Sequence, residues 1–94
     1  MEVQHTTNEK NGRFFLEEDG QEIAFMTYVF AGDDKFIIDH TVVNPDQEGK
    51  GLGKKLVKAG VEFAREKGYK IIPLCPYAKS VIEKTTEYHD ILVK

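Results

Sequence analysis

Hydrophobic and polar residues alternate along the first half of the chain, in the pattern of half-buried β-strands. Segments 13–18 and 21–30 flank Asp19-Gly20, a pair that is typical of a two-residue hairpin turn. A third such segment, 35–43, follows a turn at residues 31–34. Both faces of segment 21–30 are largely apolar, which predicts a central strand covered on both sides. We therefore expect three antiparallel strands in a meander.

After residue 51 the spacing of hydrophobic residues changes to that of an amphipathic helix, which we expect to end at Gly68. The apolar stripe of this helix consists of Leu52, Leu56, Ala59, Gly60 and Phe63. Segment 69–74 then predicts a short buried strand. Because strand–helix–strand units cross over right-handed, we expect Ile71-Ile72 to lie parallel to Val42-Val43.

Pro76 suits the first position of a second helix, which we expect to run to about residue 84 with Cys75 at or beside its N-cap. Segment 87–94 is a predicted tail that docks through Tyr88, Ile91 and Leu92. The first 11 residues are polar, and they are either poorly ordered or form a short edge strand. The predicted fold is a mixed α/β (α+β) domain over residues 1–94, with a short C-terminal helix.

Three alternating glycines, Gly49, Gly51 and Gly53, separate the third strand from the first helix. Glycines let the backbone pass close to a ligand, and a helix N-terminus offers unpaired N–H groups to a phosphate. An ordinary tight turn is the alternative. A Walker A loop is excluded because neither Lys54 nor Lys55 precedes a hydroxyl residue, and a dinucleotide fingerprint would need glycine where Lys54 stands.

Val43-Asn44-Pro45, a short loop and Glu48-Gly49-Lys50-Gly51-Leu52-Gly53 before an amphipathic helix resemble the acetyl-CoA loop of the GNAT superfamily of N-acetyltransferases. Gly51 and Gly53 fall on the two small positions of the family pattern. Glu48 stands where the family has Arg or Gln, so its carboxylate would repel the pyrophosphate that the loop holds. The backbone cradle depends on the glycines and is unaffected.

The rest of the chain resembles a minimal, single-domain subgroup of that superfamily. Its members carry a His-Thr pair on the strand before the loop and a Pro-x-Cys run on the strand after the helix. These are His40-Thr41 and Pro73-Leu74-Cys75 here, and the likeness extends from Arg13 to Leu92. The resemblance implies a minimal GNAT-like fold with acetyl-CoA or CoA as cosubstrate.

The resemblance also implies where CoA is bound. The pantetheine arm lies between two splayed parallel strands and uses backbone groups of Val42 and Val43, while the pyrophosphate lies on the N–H groups of residues 50–54. The residues expected to contact CoA are Val42, Val43, Glu48, Gly49, Lys50, Gly51, Leu52, Gly53, Lys54, Cys75, Pro76 and Tyr77.

Three side chains are candidates for the chemistry. Cys75 lies at the expected thioester end, beside a helix N-terminus that favours a thiolate, and it is either an acetyl-accepting nucleophile, a group that handles the amine proton, or a small buried hydrophobe. His40, expected on the strand face of Ile38 and Val42, is either a core histidine or a base. Tyr77 is either a packing residue or a proton donor to the leaving CoA thiolate.

The composition of the chain argues against several classes of partner and site. The 94 residues carry a net charge of −3 with acids and bases interspersed, which argues against a nucleic-acid partner. No apolar run approaches the ~20 residues of a membrane span, and the N-terminus lacks a signal-peptide core. A single cysteine excludes an intrachain disulfide and favours the cytoplasm. No cysteine–histidine cluster has metal-ligand spacing, so we expect no metal.

The function expected from these residues is a small acetyltransferase that moves an acetyl group from acetyl-CoA to an amine. Ordinary family members shape the acceptor pocket with N-terminal helices for which this sequence has no room, so the acceptor is not predicted. The alternative is a non-catalytic CoA or acetyl-CoA-binding module that acts as a sensor. We expect a monomer or a weak dimer.

Overall fold

The strands form one sheet in chain order, with the first four antiparallel and the fifth parallel to the fourth. The computed structural model describes residues 2–93. The strands are β1 (Gln4–Thr7), β2 (Asn11–Glu18), β3 (Gln21–Phe30), β4 (Lys35–Val43) and β5 (Lys70–Pro73). This architecture confirms the predicted mixed α/β class. The meander has four antiparallel strands where three were predicted, because β1 pairs with β2.

The first strand is the edge strand that the sequence left open as one of two outcomes. All four residues of β1 are exposed, yet its register with β2 is continuous from Gln4 opposite Phe15 to Thr7 opposite Gly12. The imidazole of His5 stacks on Phe14 with ring centroids 4.1 Å apart, which attaches this polar strand to the aromatic core.

Two α-helices lie at the predicted positions. They are α1 (Leu52–Lys67) and α2 (Pro76–Lys84), and 3-10 helices cover Pro45–Gln47 and Thr86–Ile91. Gly68 ends α1 at a φ of 75°, and its N–H group is directed at the carbonyls of Ala64 and Arg65. The C-terminal segment docks as predicted, since Ile91 is buried and Leu92 bridges to Ile71. Residues 1 and 94 of the predicted domain lie outside the described residues.

The two faces of the sheet differ, which corrects the prediction that β3 is covered on both sides. Met26 and Tyr28 are fully buried on the face that packs against α1, whereas Val29 on the other face is 40% exposed. The guanidinium of Arg13 lies 4.9 Å from the ring centroid of Phe15 and 5.2 Å from that of Phe25. Aromatic rings on the open face are therefore partly shielded by a cation instead of a second helical layer.

The register of β5 differs from the prediction. Ile71 and Ile72 pair with Phe36 and Ile37 near the start of β4, and the pairing ends at Ile38 opposite Pro73. The sixteen residues of α1 carry the chain about 24 Å back along the sheet, so it re-enters beside the first residues of β4. The end of β4, residues 39–43, extends beyond β5 and leaves a gap beside it.

A β-bulge in β4 changes which side chains face the helices. Thr27 of β3 lies opposite His40, but the next residue, Tyr28, lies opposite Ile38, so Asp39 is the extra residue. Residues directly opposite each other share a face, and Met26 opposite Thr41 is buried on the helix side. The bulge therefore directs Thr41 toward the helices and His40 toward the open face.

Candidate active site

A cleft of about 330 Å³ lies between the end of β4, the glycine loop and the start of α2. Seven residues predicted to contact CoA line it: Val43, Glu48, Gly49, Gly51, Leu52, Gly53 and Tyr77. Thr41 and Gln47 also line it and were not among the predicted contacts. The structure thus brings the strand end, the loop and the second helix to one place.

The loop owes its shape to local chemistry. The side chain of Asn44 accepts a hydrogen bond from the N–H of Asp46 at 3.1 Å, which starts the 3-10 turn at Pro45. Gly49 and Gly51 have left-handed φ angles of 85° and 73°. In the described part of the chain no side chain caps α1, whose first turn begins after Gly51. The N–H groups of residues 52–54 lie before the first helical hydrogen bond. They are therefore available to bind an anion.

Tyr77 forms the wall of the cleft opposite the start of α1. A Cβ atom added to Gly53 would lie 2.5 Å from the Tyr77 hydroxyl oxygen, so the aromatic ring occupies the space beside the glycine backbone. Burial raises the pKa of the Tyr77 phenol, which therefore stays protonated at neutral pH. A protonated phenol at this place is a hydrogen-bond donor to the cleft.

Cys75 is the N-cap residue of α2 and is 7% exposed. The N–H groups of Leu74 and Cys75 both donate to the carbonyl of Ile38 at 3.0 Å, which fixes the backbone at the end of β5. The sulfur lies 3.5 Å from the Thr41 hydroxyl oxygen, and Thr41 itself lines the cleft. Cys75 is therefore one side chain away from the cleft wall.

The environment of Cys75 favours its thiolate. Burial alone raises the pKa of the thiol, but the Thr41 hydroxyl and the nearby backbone N–H groups of Ala78, Tyr77 and Thr41 outweigh it. The net effect places the Cys75 pKa below its ordinary value. No cation contributes to this shift, so hydrogen bonds at the helix N-terminus account for it.

Along the end of β4 that extends beyond β5, the backbone N–H and C=O groups point alternately toward β3 and toward the gap. The N–H of Thr41 points to the Cys75 sulfur, and the N–H of Asn44 donates to the Ile23 carbonyl of β3 at 2.8 Å. By this alternation Val43 directs its polar groups into the gap and Val42 directs them to β3. Val42 is 47% exposed on the open face and does not line the cleft, and its contact with CoA stays a prediction.

His40 is also displaced from its predicted position. It is exposed and lies opposite Thr27 on the open face, while Cys75 contacts Thr41 on the other side of β4. The prediction that His40 shares a face with Ile38 is wrong because the bulge at Asp39 intervenes. The structure therefore does not bring the imidazole to the Cys75 sulfur.

The remaining predicted contacts flank the cleft. Lys50 donates from Nζ to the side-chain carbonyl of Gln47 at 2.8 Å, and Pro76 opens α2. Lys54 lines a second groove of about 430 Å³ together with Lys84, and Tyr77 borders both this groove and the cleft. The two depressions thus share one aromatic ring as a wall.

Within residues 2–93 there is no group of three or more His, Cys, Asp or Glu side chains that could hold a metal ion. None of the helices in this part of the chain has the length and apolar character to cross a membrane.

Comparison with known proteins identifies the family. The family model described as GCN5-related N-acetyl-transferase matches residues 13–91. This chain belongs to the GNAT family of N-acetyltransferases. The solution structure of a GCN5-like protein from Staphylococcus aureus is similar, with 37% sequence identity, a TM-score of 0.75, and coverage of 96% of this chain and 87% of that one. No curated protein matches the sequence.

More distant GNAT structures share the fold. The ribosomal-protein-S18-alanine N-acetyltransferase from Escherichia coli has 20% identity and a TM-score of 0.69, and the match covers 83% of this chain and 53% of that one. An aminoglycoside acetyltransferase from an uncultured soil metagenomic sample has 19% identity and a TM-score of 0.70, with 84% and 59% covered. This GNAT chain spans little more than half of either enzyme.

Proposed function

We propose that this protein binds acetyl-CoA in the cleft and transfers the acetyl group to an amine by way of Cys75. One observation supports the proposal above the others: the cleft runs from an uncapped helix N-terminus to a hydroxyl that contacts the cysteine sulfur. The anion-binding end of the cleft is therefore connected to Cys75 through a single side chain, that of Thr41.

The residues present suit a CoA molecule. The pyrophosphate would accept hydrogen bonds from the N–H groups at the start of α1, and the pantetheine amides would pair with the backbone groups of Val43 in the gap beside β4. Tyr77 closes one side of the space beside Gly53. The remaining space would admit the extended chain of the ligand, but a side chain at position 53 would collide with the Tyr77 ring. Lys54 and Lys84 would hold the phosphorylated adenosine end in the adjoining groove.

Cys75 supplies the chemistry in two balanced steps. Its sulfur attacks the thioester carbonyl, forming a new carbon–sulfur bond as the bond to the CoA sulfur breaks, and the thiol proton leaves with CoA. An amine then attacks the acetyl group on Cys75, the carbon–sulfur bond breaks, and the amine proton returns to the sulfur. The acetylated amine is released and the thiol is restored.

Tyr77 is suited to the first step. Because its phenol stays protonated and Tyr77 lines the cleft, it is the side chain that we assign to donate a hydrogen bond to the departing sulfur and to stabilise the negative charge there. His40 has no part in either step, since it lies on the other face of the sheet. Proton transfer during the reaction is assigned to Cys75 and Tyr77.

Intact-protein mass spectrometry after incubation with acetyl-CoA tests the proposal. Wild-type protein should gain the mass of one acetyl group, and peptide mapping should place it on Cys75. Cys75→Ala should lose this label and retain CoA affinity within about twofold, because the phosphate-binding loop lies elsewhere. Subsequent addition of a lysine-containing peptide should remove the label from the wild-type protein and yield acetylated peptide.

Two other results would redirect the assignment. Acetylation of the peptide by Cys75→Ala at the wild-type rate would indicate direct transfer without a covalent intermediate. CoA binding with neither label nor product would contradict acetyl transfer to Cys75 and favour the alternative, a CoA-binding sensor. ATP with magnesium serves as the binding control and should compete poorly with CoA.

A further inference from the structure

Thr41 is the only residue of the cleft lining whose hydroxyl contacts Cys75 among the described side chains. Its position depends on the bulge at Asp39, which directs the hydroxyl toward the helices while its neighbour His40 faces away. In a strand otherwise rich in apolar residues this hydroxyl has one side-chain partner in the described structure, the Cys75 sulfur. The Thr41 hydroxyl thus links the cleft lining to the Cys75 sulfur.

We propose that Thr41 is a positioning residue that holds the Cys75 sulfur at the cleft wall and supports its thiolate through a hydrogen bond. The inference rests on the proposed role of Cys75 as the acetyl acceptor. In the thiol state the S–H group donates to the Thr41 hydroxyl oxygen, at 3.5 Å. In the thiolate state the hydroxyl reverses direction and donates to the sulfur.

Such support matters because Cys75 is almost buried. Desolvation disfavours a charged sulfur, and only hydrogen-bond donors arranged around it offset that cost. The titratable groups that line the cleft and the adjoining groove are Glu48, Tyr77, Lys54, Lys84 and Tyr88. None of these charges contributes to the shift at Cys75. Thr41 supplies the side-chain hydroxyl, while the other donors are backbone N–H groups that substitution cannot remove.

Alkylation of Cys75 by iodoacetamide across a pH range measures this contribution without acetyl-CoA. Thr41→Val keeps the β-branched shape and removes the hydroxyl, so the pH midpoint of alkylation should move upward. Thr41→Ser should restore the wild-type midpoint. Thr6→Val is the matched control, because Thr6 is an exposed threonine of the edge strand β1, opposite Arg13, and does not reach Cys75.

The rate of Cys75 acetylation is the second readout. At neutral pH it should fall about tenfold in Thr41→Val, equivalent to about 1.4 kcal/mol, and stay near the wild-type value in Thr41→Ser. Calorimetric CoA affinity should change little in either variant. Thr41→Ala serves in place of Thr41→Val if the latter fails to fold, with thermal unfolding as the check.

The outcomes separate the two proposals. An alkylation midpoint that is the same in wild type and Thr41→Val, or that moves equally in Thr6→Val, overturns the assignment of Thr41. Failure of the wild-type protein to acquire an acetyl group contradicts the role of Cys75 instead. In that case the alkylation midpoints alone decide whether Thr41 supports the thiolate.

Discussion

Tyr77 occupies the space that a side chain at Gly53 would need, with its hydroxyl oxygen 2.5 Å and its nearest ring carbons 2.6 and 2.7 Å from the position of an added Cβ. Contacts this short do not occur between real atoms, so one of the two residues would have to move. The glycine of the helix and the aromatic ring of α2 therefore fit each other, and both line the cleft.

Gly53→Ala should push the Tyr77 ring away from α1 and weaken CoA binding at least tenfold, about 1.4 kcal/mol. Isothermal titration calorimetry gives the affinity. In a Tyr77→Ala background the same substitution should cost much less, because the obstructing ring is gone. Equal losses in both backgrounds would show that Gly53 acts on binding independently of Tyr77.

Gly51→Ala should reduce the free energy of unfolding by about 1–2 kcal/mol, because its φ of 73° is unfavourable for a residue with a Cβ. Urea denaturation measures this loss. Gly20→Ala is the matched control: Gly20 has a φ of 78° and open space around it, but it lies in the hairpin turn between β2 and β3. Both variants should lose stability, and only Gly51→Ala should lose CoA affinity. A loss of CoA affinity in both would mean that general destabilisation is responsible.

Glu48→Gln should tighten CoA binding, because its carboxylate lines the cleft in which the pyrophosphate is expected. The gain should be on the order of 1 kcal/mol at low salt and should shrink as ionic strength rises. Calorimetric titrations at two salt concentrations test both statements. Glu66→Gln, an exposed position near the other end of α1, is the control and should leave affinity unchanged. Weaker binding by Glu48→Gln would indicate that the carboxylate makes a favourable contact.

Acidification should destabilise the attachment of β1. Burial lowers the pKa of His5, whose imidazole stacks on Phe14 and hydrogen-bonds the hydroxyl of Tyr28. The folded state therefore prefers neutral His5. The resulting stability is fully present above the unfolded value of about 6.5 and is lost as the pH falls from there through the folded-state pKa.

Urea denaturation at several pH values, with His5→Gln for comparison, isolates this contribution. The difference in unfolding free energy between wild type and variant should shrink as the pH falls below about 6.5. Lys58 and Glu62 of α1 line the same depression as His5, so the measurements belong at moderate salt. A constant difference across the range would exclude His5 as the titrating group.

Local chemistry made the elements predictable from the sequence. Asp19 and Gly20 both adopt positive φ angles, as a two-residue hairpin turn requires, and Gly68 ends α1. The turn conformation of the loop was predictable for the same reason, because closely spaced glycines are typical of positive φ angles. These features depend on neighbours in the chain, which the sequence shows directly.

Pairing between distant strands was not predictable in this way. The register of β5 depends on the length of α1, and the bulge at Asp39 arises only when β4 meets β3. His40 was consequently assigned to the face of Ile38, which is the face that Thr41 occupies, although the strand itself was predicted with its observed bounds. Thr41 carried one usable signal, a hydroxyl in an apolar strand, and its partner in the described structure is Cys75.

The bulge makes the face of each side chain in this part of β4 depend on strand pairing and not on sequence order alone. If Asp39 were paired in a regular ladder, simple alternation from Ile38 would turn the imidazole of His40 toward the helices and the hydroxyl of Thr41 away from them. These two neighbours therefore compete for a single place beside the sulfur, and the extra residue decides between them. Deletion of Asp39 would remove that extra residue and leave both side chains on their present faces, so the pairing of β4 with β3 is what holds a hydroxyl, instead of a titratable base, next to Cys75.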